Sequence, residues 1–176
     1  MSKAKKKDEN VEEQESYTPE GGNAVLDLSA DDIEEVIGFA LLEEAEYNAE
    51  VISMVAKYTK SNKPAVVVRI TPQVELEGDE RVGTIMTYLN LPYGGCLKDT
   101  AIFFRNELAG FRQAFGIGAG ELTEAIQLAF QELGSNEELD EFPIDAFEGQ
   151  VGRVLLKVSE EEGYEPRNEI KKFLVG

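Results

Sequence analysis

The sequence predicts a mainly β domain with helices, in the order β-β-β-α-α-β-β, preceded by an N-terminal helix and a disordered tail. Three observations predict it. Between residues 46 and 91, apolar side chains alternate in three runs separated by polar turns, the pattern of half-buried antiparallel strands. Between residues 99 and 133 the spacing lengthens to that of amphipathic helices. From Phe147 to Gly176 the alternation returns in two runs, Gln150–Val158 and Asn168–Leu174, around a polar connection centred on Tyr164.

Residues 1–24 are polar and charged, close with Pro19 and Gly21-Gly22, and are expected to be disordered. The folded domain is expected over 25–176. Ser29 is a candidate N-cap for a first helix whose apolar stripe is Ile33, Val36, Ile37, Ala40 and Leu41. The first strand, EYNAEVISMVAKY (46–58), alternates Tyr47, Ala49, Val51, Ser53 and Val55 against Ile52, Met54 and Tyr58. After the turn TKSNKP (59–64) comes a second strand, AVVVRIT (65–71), with Val66, Val68 and Ile70 opposite Val67 and Arg69. The third strand is RVGTIMTYLNL (81–91).

Phe104, Leu108, Phe111 and Phe115 form the stripe of the clearest helix, started by Asp99 or Thr100 and stopped by Gly116 or Gly118. A second helix, about Gly120–Leu133, leads through the acidic loop GSNEELDEF to the final hairpin. In that hairpin Asn168, Ile170, Lys172 and Leu174 share one face, and Arg167, Glu169, Lys171 and Phe173 the other. Three strands, a helix and two closing strands is the chain order of the five-stranded OB barrel, with an acidic helical insertion at about 117–147. The alternative is an open α+β sheet with helices on one face.

Composition narrows the function. The chain has no histidine and one cysteine, Cys96. Ser-His and Cys-His nucleophile pairs are therefore absent, an internal disulfide is impossible and a zinc site is close to excluded. A binding protein without cofactor is expected, not an enzyme. No apolar run reaches the roughly 18–20 residues of a membrane span, and MSKAKKKDEN lacks a signal-peptide core, so an intracellular protein without a membrane partner is expected. The net charge is −18, but residues 117–147 hold 8 acids and no base, whereas 61–116 are balanced at 6 and 6. That segregation permits a basic face on an acidic chain.

Four pieces of sequence carry a family likeness: AEYNAEV (45–51), TKSNKP with the hydrophobic strand after it (59–70), FRQAFGI (111–117), and GRVLLKV…YEPRNEIKKFL (152–174). In their order and spacing the chain resembles a group of small phage-encoded single-stranded-DNA-binding proteins. The resemblance implies an OB-type fold, host-cell cytoplasm, and sequence-tolerant binding of single-stranded DNA during phage DNA replication or recombination. It departs from the pattern at Phe173–Gly176, which carries no acidic tail; the acidic N-terminal tract and the 134–145 loop are the candidates to recruit replication or recombination proteins instead. Self-association is left open.

Single strands are held by cations along the phosphates and aromatic faces under the bases. In an OB barrel the groove crosses strands two and three, flanked by the loops joining strands one to two and four to five. The first loop then supplies Lys57, Tyr58, Lys60 and Lys63, the sheet face Arg69, Arg81 and Tyr88, and the last hairpin Arg153, Lys157, Tyr164, Arg167 and Lys171, with Phe173 better read as core. Tyr58 and Tyr164, aromatics in polar loops beside cations, lead this set. The plainer readings are a half-buried Tyr88, an Arg69 paired with Glu50 or Glu75, a charge ladder on the hairpin edge, and Arg105 and Arg112 paired with Glu107 and neighbouring acids. The competing functions are an acidic protein–protein adaptor without direct nucleic-acid binding and, more weakly, a carboxylate-metal nuclease.

Overall fold

A computed structural model describes residues 39–78 and 80–175. The expected tail and most of the expected first helix lie outside the described residues. Where that helix was to end, Phe39–Ala40 is instead a short strand, β1, paired in parallel with β4 (Arg81–Val82). The remaining strands are β2 (Glu46–Tyr58), β3 (Pro64–Pro72), β5 (Ile85–Asn90), β6 (Glu141–Pro143), β7 (Val151–Ser159) and β8 (Arg167–Leu174), with helices α1 (Lys98–Ala114) and α2 (Ala119–Ser135) between β5 and β6. The expected third strand is thus split at Gly83-Thr84, and β6 arises inside the segment expected to be an acidic loop.

The main sheet runs β5-β3-β2-β7-β8, with β6 pairing the far half of β2. Among the described residues no ladder joins β5 to β8, so the sheet is not closed and the expected barrel is not shown. Its long central strand owes its reach to a bulge. Val51 pairs with Ile70 and Ser53 with Arg69, leaving Ile52 without a partner on β3. An extra residue of this kind bends the strand and reverses the side-chain phase beyond it. Before the bulge β2 pairs with β7 (Glu46–Glu50), and after it with β6 (Val55–Lys57). Val51 donates to and accepts from the connecting segment: its N–H reaches the Gln150 carbonyl at 2.9 Å and its carbonyl takes the Gly149 N–H at 2.9 Å.

The bulge corrects the expected faces. Ala49 and Val51 point to the core, as do Met54 and Ala56 after the phase change, whereas Ile52 is exposed. Opposite them Ile70, Val68 and Val66 of β3, and Ile85 and Leu89 of β5, complete the buried rows. A second bulge falls in the hairpin. Leu155 pairs with Lys172 and Leu156 with Ile170, which leaves Lys171 as the extra residue. Phe173 therefore joins Asn168 and Ile170 on the core side, not Arg167 and Glu169 as strict alternation required.

Helix α1 lays its aromatic stripe on this core. Phe111 and Phe115 are fully buried, and each ring meets that of Phe173 edge-on, at 5.5 and 6.2 Å between centroids. The helix starts at Leu97 without a side-chain cap, not at the expected Asp99 or Thr100. It stops as expected at Gly116, whose φ of 66° is the left-handed conformation glycine adopts without strain. The Ile117 N–H then reaches back to the Arg112 carbonyl at 2.9 Å, the Gly116 N–H to Gln113 at 3.4 Å, and Ile117 is buried beside the helix end, a Schellman motif. Helix α2 buries Leu122, Ala129 and Leu133 and packs Ile126 and Phe130, partly buried, against the same core. Among the described residues no helix is long and apolar enough to cross a membrane.

Candidate nucleic-acid interface

The alternation that fills the core fixes what faces outward on β2, β3 and β5. Three ladder rows form there: Ser53–Arg69–Met86, Val55–Val67–Tyr88 and Lys57–Ala65–Asn90. Val67, flanked by Val55 and Tyr88, is buried even on this side, while Tyr88 is 41% and Met86 51% exposed. None of these nine residues is acidic, in a chain with 35 acids and 17 bases, but β6 continues the last row with Glu141 opposite Lys57. Arg69 and Lys57 stand in these rows, and neither forms an ion pair among the described residues; the expected Arg69 pairing with Glu50 or Glu75 is not seen. A further row down, the Thr71 and Thr84 hydroxyls lie 3.2 Å apart.

Beyond Tyr88 the sheet edge meets a cleft of about 730 Å³ whose opposite wall is β8. Met86 and Tyr88 line one side, Arg167 and Glu169 the other. Asn168 holds the floor in place. Its side-chain oxygen accepts the Leu42 N–H at 2.9 Å, and its side-chain amide donates to the Leu42 carbonyl at 2.8 Å. The segment entering the sheet is thereby tied to the last hairpin by a pair of hydrogen bonds that neither sequence neighbourhood announces.

The structure sorts the expected site residues into four groups. Lys57, Arg69, Tyr88 and Arg167 gather on the outer face and the cleft. The hairpin cations are occupied: Arg153 pairs with Glu46 at 3.7 Å, Lys157 with Glu169 at 3.7 Å, Arg167 with Glu169 at 3.0 Å and Lys171 with Glu44 at 2.9 Å. All but Glu169, which is 35% exposed, are about half or more in solvent; such pairs contribute about 0–1 kcal/mol, so a competing phosphate could displace the carboxylates. The third group is separated from the face. Tyr58 points to the helix side and packs edge-on against Phe130 of α2, 5.4 Å between centroids. Tyr164 stands 70% exposed on a tip whose neighbours are Glu160, Glu161, Glu162 and Glu165. Arg81 lies in β4, on the small two-stranded sheet, and Lys60 is exposed in the turn that the left-handed Asn62 (φ 59°) closes.

Lys63 behaves differently again: its ammonium sits 4.1 Å over the ring centroid of Tyr93, a cation–π contact. Sequence reasoning missed Tyr93, and it missed Met86 because an exposed thioether gives no distinctive pattern. Arg105 and Arg112 do not make the expected ion pairs among the described residues. Arg112 instead donates to the Ile117 carbonyl at 3.2 Å and braces the helix end. Burial raises the Glu107 carboxyl above the usual carboxylate range. Among the described residues no group of three or more Cys, Asp or Glu side chains is placed to hold a metal ion.

No protein-family model matches this chain, and no curated protein matches it.

Proposed function

We propose that this protein binds single-stranded DNA without sequence preference, along the outer face of β2-β3-β5 and into the cleft beside β8. The observation that carries the reading is the set of rows around Arg69 and Tyr88, which hold no acid on β2, β3 or β5, the one carboxylate at their margin being Glu141 of β6 beside Lys57. A chain this acidic leaves so few places where a phosphate would not be repelled that a cation-bearing, aromatic-bearing patch so poor in carboxylates stands out as the surface for a polyanion.

The chemistry is that of sequence-tolerant strand binders. Arg69 and Lys57 offer charge to successive phosphates, Arg167 does so from the far wall, and Tyr88 offers a face to a base, a stacking contact of about 1–3 kcal/mol. Met86 beside it supplies a soft apolar contact. The arrangement also supports an OB-type reading of the fold. The strand order keeps the first long strand central, and β5 and β8 face one another across the cleft as the two margins of an opened five-stranded barrel. The likeness of the four sequence pieces to phage single-stranded-DNA-binding proteins points the same way, to replication or recombination of phage DNA.

Binding of labelled oligo-dT, followed by fluorescence anisotropy at low salt, tests the proposal. The expected result is saturable binding that weakens steeply as salt rises, and that Arg69→Ala and Tyr88→Ala each reduce. Absence of binding at low salt, or binding indifferent to both substitutions, overturns it.

A further inference from the structure

Where the chain leaves β5 and enters α1, it exposes side chains that a lone domain has little reason to expose. Leu97 is 75%, Phe103 58% and Ile102 53% exposed. Beside them runs a groove of about 610 Å³ whose charged lining consists of Lys98 and Arg105, with no carboxylate. Neither cation forms an ion pair among the described residues. Around Ile102 this surface is apolar and basic together, while Asp99 and Glu107 stand one turn to either side of Phe103. Apolar contact of that kind is the mark of a protein interface. Base stacking on the groove's Tyr93 is opposed by Lys63, which already covers a face of the ring.

A surface of opposite character lies on the next helix. On α2 the positions Glu121, Glu124, Leu128 and Glu132 recur at helical spacing along one exposed stripe, with Leu128 56% exposed at its centre. The buried face of the same helix is Leu122, Ala129 and Leu133, so the acidic stripe is not needed for packing. One chain therefore carries both halves of a complementary pair: an apolar centre flanked by bases at Ile102, and an apolar centre flanked by acids at Leu128.

We infer that this protein associates with itself head to tail, the α1 start of one copy (Leu97, Lys98, Ile102, Phe103, Arg105) receiving the acidic α2 stripe of a second copy. Because the two surfaces are different patches, the contact is heterologous and each bound copy leaves one of each patch free for the next. The inference stands on surfaces separate from the proposed DNA-binding face and does not depend on that reading. The net charge of −18 on each copy opposes the approach. Salt at about 0.15 M shortens that repulsion to a range of about 8 Å, while ion pairs in contact are screened much less.

Complementation between two variants tests it. Phe103→Glu disables the receiving surface and Leu128→Arg the acidic stripe; both sites are exposed, so thermal unfolding should be unchanged. In sedimentation at about 0.15 M salt, the wild type is expected to gain mass with concentration, each variant to remain monomeric, and their equimolar mixture to stop at a dimer. A monomeric wild type at every concentration overturns the inference, as does association that both variants retain, or a mixture that stays monomeric. Should the wild type be monomeric and Phe103→Glu weaken oligo-dT binding, the α1 surface belongs to nucleic acid and the inference fails.

Discussion

The ring of Phe115 fills the space over Gly152: a Cβ built on that glycine would lie 2.7 Å from the ring and 2.6 Å from the Ala114 carbonyl oxygen. The end of α1 thus presses directly on the backbone of β7, and a backbone oxygen cannot swing aside as a side-chain tip can. Gly152→Ala is expected to cost about 1–3 kcal/mol or more through overpacking. Urea unfolding should show a lower midpoint at an unchanged slope. On the same helix, Gly110 has ordinary room, its nearest neighbour being the Phe173 Cβ at 3.9 Å. Gly110→Ala should therefore stabilise by about 0.5–1 kcal/mol, the cost of glycine inside a helix. Equal effects of the two substitutions would contradict this packing.

Tyr58 and Tyr88 should behave oppositely. Tyr58 meets Phe130 edge-on and so ties β2 to α2, and such aromatic pairs contribute about 0.5–1.5 kcal/mol beyond buried area. Tyr58→Ala is expected to lower thermal stability and to leave oligo-dT affinity nearly unchanged at temperatures where the protein is folded. Tyr88→Ala, on the outer face, should weaken binding by about tenfold, corresponding to one stacking contact. Loss of binding on replacing Tyr58 without loss of stability would return that residue to the site.

What was legible in the sequence was set by periodicity, and what was not was set by its interruptions. The runs 46–58, 65–71, 150–158 and 168–174, and both helices, follow from apolar spacing, because burial of one face acts along the whole element. The faces of β2 and β8 could not be read through Ile52 and Lys171, since each bulge adds a residue whose own side chain looks ordinary. The strand β6 is three residues long and contains a proline, too short to show alternation, and it exists because the bent end of β2 offers an edge. In the candidate site, Arg69 and Tyr88 are legible as a cation and an aromatic on a strand face, whereas Lys57, read as part of the loop after the first strand, stands inside β2. The ion pairs Lys171–Glu44 and Arg153–Glu46 join residues more than a hundred positions apart, and no local pattern shows them. Tyr58 was misplaced because a loop-edge aromatic and a helix-packing aromatic have the same sequence neighbourhood.

Glu107 provides a pH signature. Burial raises its carboxyl above the usual value, so the folded chain holds this proton to a higher pH than the unfolded chain does. Stability from this group is then greatest at low pH and falls as pH rises from the ordinary glutamate value of about 4.3 through the raised folded one. Glu107→Gln, which keeps the neutral shape, should be more stable than wild type at neutral pH, with the difference vanishing below pH of about 4. Glu162→Gln on the exposed hairpin tip controls for removing one charge from a strongly acidic chain. If the Glu107 variant gains no more than that control, burial of the carboxylate is not penalising the fold.

Glu169 sits where the ion pairs of the hairpin and the cleft coincide. Its two oxygens engage Lys157 at 3.7 Å and Arg167 at 3.0 Å, and it lines the same cleft as Tyr88. A strand entering the cleft must either take these cations from the carboxylate or pass them by. Glu169→Gln removes the competitor and a repelling charge while keeping the side chain's size. Exposed pairs of this kind hold about 1 kcal/mol at most, so affinity for oligo-dT should rise about two- to fivefold. Each phosphate newly engaged should also steepen the dependence of log affinity on log salt by about 0.7. Glu46→Gln frees Arg153, which does not line the cleft, and should give a smaller gain. Equal gains would mean that removing negative charge anywhere suffices, and no gain from Glu169→Gln would confine the strand to the Arg69–Tyr88 face.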